Sequence, residues 1–266
     1  MLFYLLLILF QVFSALGFYF ITPNNYWFLF LWIPLGFIAG WLIWVLIIFI
    51  VFYPILRFTK TKSHLKHEII YQFCQFCNIF FRLKIKIVGR ENIPNETFVV
   101  YANHKSMLDV SVVYQAFHRV MSAVAKNTLD KVKIIHMFMQ TAEVVPLDRK
   151  NERQGVKDLL RAIKLVSDGY NFMIFPEGGI KTRETEKIIE IKPGAFKLAT
   201  KPGASIVPVS IIGTSQCKTR SPWHKVRVKV IIHKPIKKEE YENMTTQEIG
   251  EKVVEIINNG IENENK

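Results

Sequence analysis

The first 56 residues contain no aspartate, glutamate, lysine or arginine, so all 35 basic and 22 acidic side chains of the 266-residue chain fall after them. Such a stretch cannot form the outside of a water-soluble domain, and it must be covered by lipid or by other protein. It divides into two apolar runs, residues 1–21 and 26–52, separated by the turn sequence Thr22-Pro23-Asn24-Asn25. As a helix, each run is long enough to cross a hydrocarbon core of about 30 Å at about 1.5 Å per residue. The expectation is therefore an N-terminal hydrophobic helical hairpin containing transmembrane helices. Tyr26 and Trp27 suit an interface at its tip, while Pro34, Gly36 and Gly40 kink the second helix or allow close packing. A monotopic hairpin, entering and leaving one leaflet, fits the same pattern. A cleaved signal peptide fits less well, because a basic leading segment and a small-x-small site before the turn are both missing.

Arg57, Lys60, Lys62 and Lys66 follow at once, which by the positive-inside rule expects this end, and the domain after it, on the cytoplasmic side of a membrane. Residues 63–82 read as an amphipathic helix with Leu65, Ile69, Phe73, Phe76 and Phe80 on one face. The expected organisation is an anchoring hairpin over 1–56, an amphipathic connecting helix over 57–83 and one domain over 84–266. The formal net charge of +13 resides in the charged part of the chain. Beside a membrane segment this excess favours anionic lipid headgroups or an acidic substrate. Nucleic acid is not expected, since no zinc-finger spacing, RNP-like aromatic motif or basic heptad is present. Cys74, Cys77 and Cys217 form no disulfide framework and indicate a reducing compartment. His64 and Cys77 would lie about 20 Å apart on one helix, too far to share a metal ion.

From Lys84 onward, strand patterns appear at 84–88, 97–101, 120–125, 141–146, 171–175, 205–212 and 226–232. Helical patterns lie between several of them, clearest over Glu152–Ser167, with others at Pro193 to about Lys201 and Thr245 to about Asn258. The tail from Asn258 reads as a frayed polar end. Strands alternating with helices predict an α/β domain with a mostly parallel central sheet flanked by helices. Ligands in such sheets bind at the carboxyl ends of the strands.

Several strand ends carry reactive or anion-binding side chains. Thr97–Tyr101 runs into Asn103 and His104, ahead of a helix that Ser106 is placed to cap. On one continuous helix His104 and Asp109 would lie about 140° apart. A loop that folds the imidazole back lets Asp109 accept from one ring nitrogen and leaves the other as a base. Ser106 to Asp109 also matches the S-x-x-[DE] capping box, which would make Asp109 a helix-start residue and His104 an ordinary loop histidine. Further on come Leu147-Asp148-Arg149 and Phe175-Pro176-Glu177-Gly178-Gly179, which add a guanidinium and a glycine turn able to present N–H groups to an anion. Pro208, inside the run Ile206–Val209, is expected at a sheet edge or a bulge.

Asn103-His104-x4-Asp109, then Val145-Pro146-Leu147-Asp148-Arg149, Phe175-Pro176-Glu177-Gly178 and Val207-Pro208-Val209, in that order, resemble the glycerolipid acyltransferases, in particular the 1-acylglycerol-3-phosphate acyltransferase (lysophosphatidate acyltransferase) family. The resemblance covers roughly residues 80–235, so 84–266 is expected to be an acyltransferase domain. It implies transfer of a fatty acyl group from a coenzyme A or acyl-carrier-protein thioester to the sn-2 hydroxyl of lysophosphatidate, giving phosphatidate. His104 would be the base and Asp109 its orienting partner. Substrate binding would fall to Asn103, Arg149, Glu177, Gly178, Gly179, Lys181 and Arg183. No metal or cofactor is expected, because the thioester is already activated. The partners implied are lysophosphatidate, the acyl donor, membrane lipids and acyl carrier protein as one form of donor. The family places Thr-Arg directly after Phe-Pro-Glu-Gly, whereas here Gly179-Ile180-Lys181 come first. Either the longer loop still delivers Arg183 or Lys181 substitutes as a point charge. Glu177 either ties down the loop or touches substrate. The competing readings are an acyltransferase for another lysolipid and a non-catalytic protein that binds anionic lipid.

Overall fold

The computed structural model describes residues 2–21, 29–47, 50–51, 53–59, 63–126, 139–140, 142–148 and 151–264. It forms two compact units, residues 1–76 and 77–266.

In the first unit the apolar runs become α1 (Leu2–Ile21) and α2 (Leu29–Ile47). A Cβ on Gly36 would lie 2.7 Å from the Ala15 backbone, and one on Gly40 2.7 Å from that of Gln11, so glycine is what lets the two backbones approach. Together with the Phe10–Trp44 ring pair, these contacts run in opposite directions along the two helices, as in a hairpin. The expected membrane crossing is not supported: among the described residues no helix is long and apolar enough to cross a membrane. α2, which contains Pro34, ends at Ile47, and a separate short helix, α3 (Tyr53–Phe58), follows. The hairpin still presents apolar side chains outward, with Phe13 65% and Phe30 90% exposed. The turn residues Thr22 to Asn25, the tip residues Tyr26 and Trp27, and Lys60 and Lys62 lie outside the described residues. Next comes α4 (His64–Phe80), whose last residues belong to the second unit.

The second unit is built on one seven-stranded sheet. Its strands are β1 (Leu83–Val88), β2 (Phe98–Ala102), β3 (Met121–Lys126), β4 (Val145–Leu147), β5 (Asn171–Ile174), β6 (Ser205–Ile212) and β7 (Val226–Ile232), in the spatial order β1-β7-β6-β2-β5-β3-β4. The five from β6 to β4 are mutually parallel, and β7 pairs antiparallel with β6 and parallel with β1. The sheet is therefore mostly parallel. Its antiparallel margin means that β1 and β7 begin on the rim where the other five strands end.

β2 is buried on both faces. Phe98 packs on Phe117 of α5 (Asp109–Phe117), 5.5 Å between ring centroids, on one side. Tyr101 stacks on Phe196 at 4.5 Å on the other. That second face holds the main core, where Val99, Phe172 and Ile206 meet α6 (Glu152–Ser167) and α9 (Thr246–Asn263). Two shorter helices, α7 (Lys197–Thr200) and α8 (Cys217–Arg220), also belong to this unit. The chain leaves β2 toward α5 on one face and leaves β5 toward Phe196 and α7 on the other, so a crevice opens between their carboxyl ends.

Three local expectations change. Strand β4 is shorter than the apolar run suggested because Glu143 has φ 53°, outside the range of a strand. Pro208 lies in a central strand, not at an edge. Ile206 bonds Ile236 in both directions and the Pro208 carbonyl accepts from His233 N–H, so the Pro208 nitrogen faces the gap before the Val209–Ile232 ladder begins, where no donor is required. The tail from Asn258 is helical, not frayed. The Asn258 amide bonds both N–H and C=O of Ile188, at 2.9 and 3.0 Å, and Ile261 is buried.

Candidate active site

Asn103 and His104 emerge where β2 ends, and four more residues precede α5. That loop is held by one carboxylate. Oδ2 of Asp109 accepts from His104 Nδ1 at 2.9 Å, from Lys105 N–H at 2.7 Å and from Ser106 N–H at 2.8 Å. Ser106 does not cap the helix as expected. The N-cap position is Leu108, and the Ser106 hydroxyl accepts from Leu108 N–H. The histidine pairing and the helix-start reading thus coexist, since Asp109 begins α5 and binds the imidazole with the same oxygen. The His104 ring stacks on Phe175, 4.1 Å between centroids and 13° between planes, and its side chain is 13% exposed while that of Asp109 is fully buried.

Asn103 is fully buried and bonded only to backbone. Its amide donates to the carbonyls of Glu186 and Ile211 and accepts from Ile211 N–H. It fastens the end of β2 to β6.

Glu177 is also buried. Oε1 accepts from His104 N–H at 2.7 Å and Oε2 from Lys105 Nζ at 2.9 Å. It ties down the histidine loop from the β5 side of the crevice. Lys105, which sequence reasoning passed over, is fully buried between Glu177 and the carbonyl of Lys187. Nothing local signals this, because both of its partners come from the far loop. Gly178 and Gly179 make the turn there with φ of 73° and 150°, which favour glycine. The Gly178 N–H closes that turn on the Phe175 carbonyl.

The three-residue insertion separates the two candidate cations. Arg183 Nε donates to the Lys105 carbonyl at 3.0 Å, which places its guanidinium beside the histidine loop. Lys181 instead pairs with Glu190 on the surface at 3.1 Å. Arg149 lies outside the described residues.

A second, half-buried layer lies beneath. Glu186 Oε1 accepts from Gly213 N–H and from both the N–H and the hydroxyl of Ser215. The Cys217 thiol is pushed up to about 11 by burial, opposed by a Ser106 hydrogen bond and reinforced by the negative charges of Asp109 and Glu186. At this value it stays protonated at neutral pH and is a packing group, not a nucleophile.

Residues 84–212, from β1 to the end of β6, match the family model described as Acyltransferase. The domain is thus of the acyltransferase class. The chain is 30% identical over 196 residues to the Mycoplasma genitalium protein named probable 1-acyl-sn-glycerol-3-phosphate acyltransferase, covering 68% of this chain and 72% of that one. It is 30% identical to the 1-acyl-sn-glycerol-3-phosphate acyltransferase of Saccharomyces cerevisiae, with 71% and 63% covered. Against the chloroplastic enzyme of that name from Arabidopsis thaliana identity is 30%, with 72% and 54% covered. The chain therefore belongs to the 1-acylglycerol-3-phosphate acyltransferase family of glycerolipid acyltransferases. It spans about half the length of the plant and algal relatives it matches. The fold is shared with the crystal structure of the 1-acyl-sn-glycerophosphate acyltransferase of Thermotoga maritima, at a TM-score of 0.67 and 24% identity over 83% of this chain and 92% of that one.

Proposed function

We propose that this chain transfers a fatty acyl group from a coenzyme A or acyl-carrier-protein thioester to the sn-2 hydroxyl of 1-acyl-glycerol 3-phosphate, giving phosphatidate. The observation that carries this reading is the 2.9 Å contact between His104 Nδ1 and Asp109 Oδ2 at the end of a central strand. With Nδ1 donating to the carboxylate, Nε2 is left as the basic nitrogen. It takes the hydroxyl proton as the acceptor oxygen attacks the thioester carbon, while Asp109 stabilises the imidazolium. When the tetrahedral intermediate collapses, the carbon–sulfur bond breaks and the imidazolium returns its proton to the leaving thiolate. General-base assistance of this kind contributes about 10²- to 10⁴-fold. Ester and thiol are the only products, and the reaction needs no metal or redox cofactor because the thioester supplies the activation. The guanidinium of Arg183, fixed beside the loop through Nε, keeps its two Nη groups for the acceptor phosphate, and Arg149 is a second candidate.

The outward apolar side chains of the hairpin support attachment to a membrane from one leaflet, with the second unit on the cytoplasmic side. The test is an acyl-transfer assay on purified membranes comparing lysophosphatidate, lysophosphatidylglycerol and glycerol 3-phosphate as acceptors. Preference for lysophosphatidate supports the reading. Preference for another lysolipid keeps the chemistry and replaces the acceptor, and no turnover on any acceptor leaves a lipid-binding protein.

A further inference from the structure

The loop between β6 and β7 has two unlike sides. Inward, Cys217 packs buried beneath the Asp109 loop. Outward, Trp223 is 79% exposed, more than any other large apolar side chain among the described residues of the second unit. The indole is mounted on a pinned loop. Arg82 donates through Nη1 to the Trp223 carbonyl at 2.6 Å, Val226 N–H returns to the Arg82 carbonyl, and the Ser221 hydroxyl donates to the Phe81 carbonyl. Because β1 and β7 start where β2 and β5 end, this assembly sits on the same rim as His104. Phe80 and Met107, 43% and 58% exposed, share that rim.

The residues next to Trp223 in the chain carry one sign of charge, while Glu186 is bonded to the start of the same loop at Gly213 and Ser215. No acidic residue occurs between Glu190 and Glu239, while Lys218, Arg220 and Lys225 flank the indole in exposed positions. Just inside the sheet, Lys84 is the register partner of Arg227, and Lys86 that of Lys229. Cations placed side by side in this way repel one another, and Lys229 alone is matched by an acid, Glu264. A rigid indole set among unpaired cations suits an interface with anionic headgroups. The ring takes the boundary layer, and each cation near the surface adds about 1 kcal/mol.

We propose that the Trp223 loop is a membrane contact in its own right, one that sets the rim bearing His104 against an anionic bilayer surface. It deepens the proposed function and rests on that reading for the identity of the lipid acceptor. The placement gives a lysolipid held in the leaflet a short route to His104.

The test places a benzoylphenylalanine photocrosslinker at Trp223 in the full chain, bound to vesicles of phosphatidylcholine with phosphatidylglycerol. Phe13 in the hairpin serves as the positive control position and Val88, at the far end of β1, as the negative one. Lipid adducts at positions 223 and 13 but not 88 are expected. Adducts at 13 without any at 223, or adducts at 223 to protein instead of lipid, would overturn the proposal. This readout needs no turnover, so it stands or fails separately from the enzymatic assignment. A functional arm compares Trp223→Ser and Lys218→Ser on vesicle-borne lysophosphatidate and on a monomeric short-chain acceptor. The expected loss is about fivefold per cation on vesicles, equivalent to about 1 kcal/mol, and little change on the soluble acceptor. Equal losses on both acceptors would indicate a structural role and overturn it.

Discussion

Position 109 answers two demands with one oxygen atom. Oδ2 orients the imidazole and also closes the loop by accepting two backbone N–H groups. Substitutions at the two partners should therefore differ in kind. His104→Ala is expected to lower turnover by about 10²- to 10⁴-fold while the thermal midpoint stays within a degree or two, because the side chain carries no other hydrogen bond that the loop depends on. Asp109→Ala should abolish turnover and also destabilise the second unit by about 1–3 kcal/mol, since two buried donors lose their acceptor. Denaturant titration beside the activity assay separates the two, and equal stability losses would contradict the shared-atom account. The spacing of His104 and Asp109 alone left the pairing open, and the resemblance carried by the downstream blocks was what favoured it. The capping-box reading looked like a rival only because sequence patterns assign one partner to each side chain. The burial of Lys105 and the hydrogen bonds of Glu186 were illegible, for both are decided by loops far away in the chain.

Among the elements, the loop after β5 has most to do, and its insertion sorts the two cations. Arg183→Ala should raise the acceptor KM by about ten- to a hundredfold, the range of a charge-assisted hydrogen bond, with the donor KM little changed. Lys181→Ala removes a surface ion pair worth about 0–1 kcal/mol and should leave both constants alone. The opposite ranking would move the phosphate role to Lys181. The same loop contains one end of a buried ion pair. Lys105→Met leaves Glu177 uncompensated and should cost about 3–5 kcal/mol in denaturant unfolding, whereas Lys105→Met with Glu177→Gln together should lose less than the single lysine variant. A double variant weaker than the single would refute this. The strands were legible from their β-branched runs, but Pro208 was not. Whether a proline is tolerated in a central strand depends on where the neighbouring ladder starts, and that is a property of β7.

For the molecule as a whole, the two units should separate cleanly. Deleting residues 1–52 is expected to leave the second unit folded, with attachment to anionic vesicles that is weak and abolished by high salt, because only screened surface charge and one indole remain. Cosedimentation across a salt series checks this, and salt-resistant binding would contradict it. Acid should loosen the seat of α9. Ser210 donates to the Ile257 carbonyl and lies 2.8 Å from His233 Nε2, and burial holds the His233 pKa below its ordinary value. A depressed folded-state pKa means that the stabilisation is present above the unfolded value of about 6.5 and is lost as pH falls through the folded one. His233→Gln should flatten that part of the stability profile measured by thermal melts, and an unchanged acid slope would exclude His233 as its source. The charge-free stretch ends at residue 56, whereas the two units divide between residues 76 and 77, a boundary that, like the helical end of the chain, depends on contacts made only after folding.

The reversal of β1 and β7 against the rest of the sheet fixes where the polypeptide enters its second unit. Had β1 run parallel to β2, its six residues, about 20 Å long at about 3.3 Å each, would have carried the incoming chain to the far side of the sheet. As built, the segment before Leu83 arrives on the rim that bears His104, three strands along the sheet, and whatever holds that segment also limits how far this rim can stray. A circular permutant that kept every strand in place but joined the hairpin at the opposite rim would have the same fold and the same reactive groups on a tether attached at the wrong side.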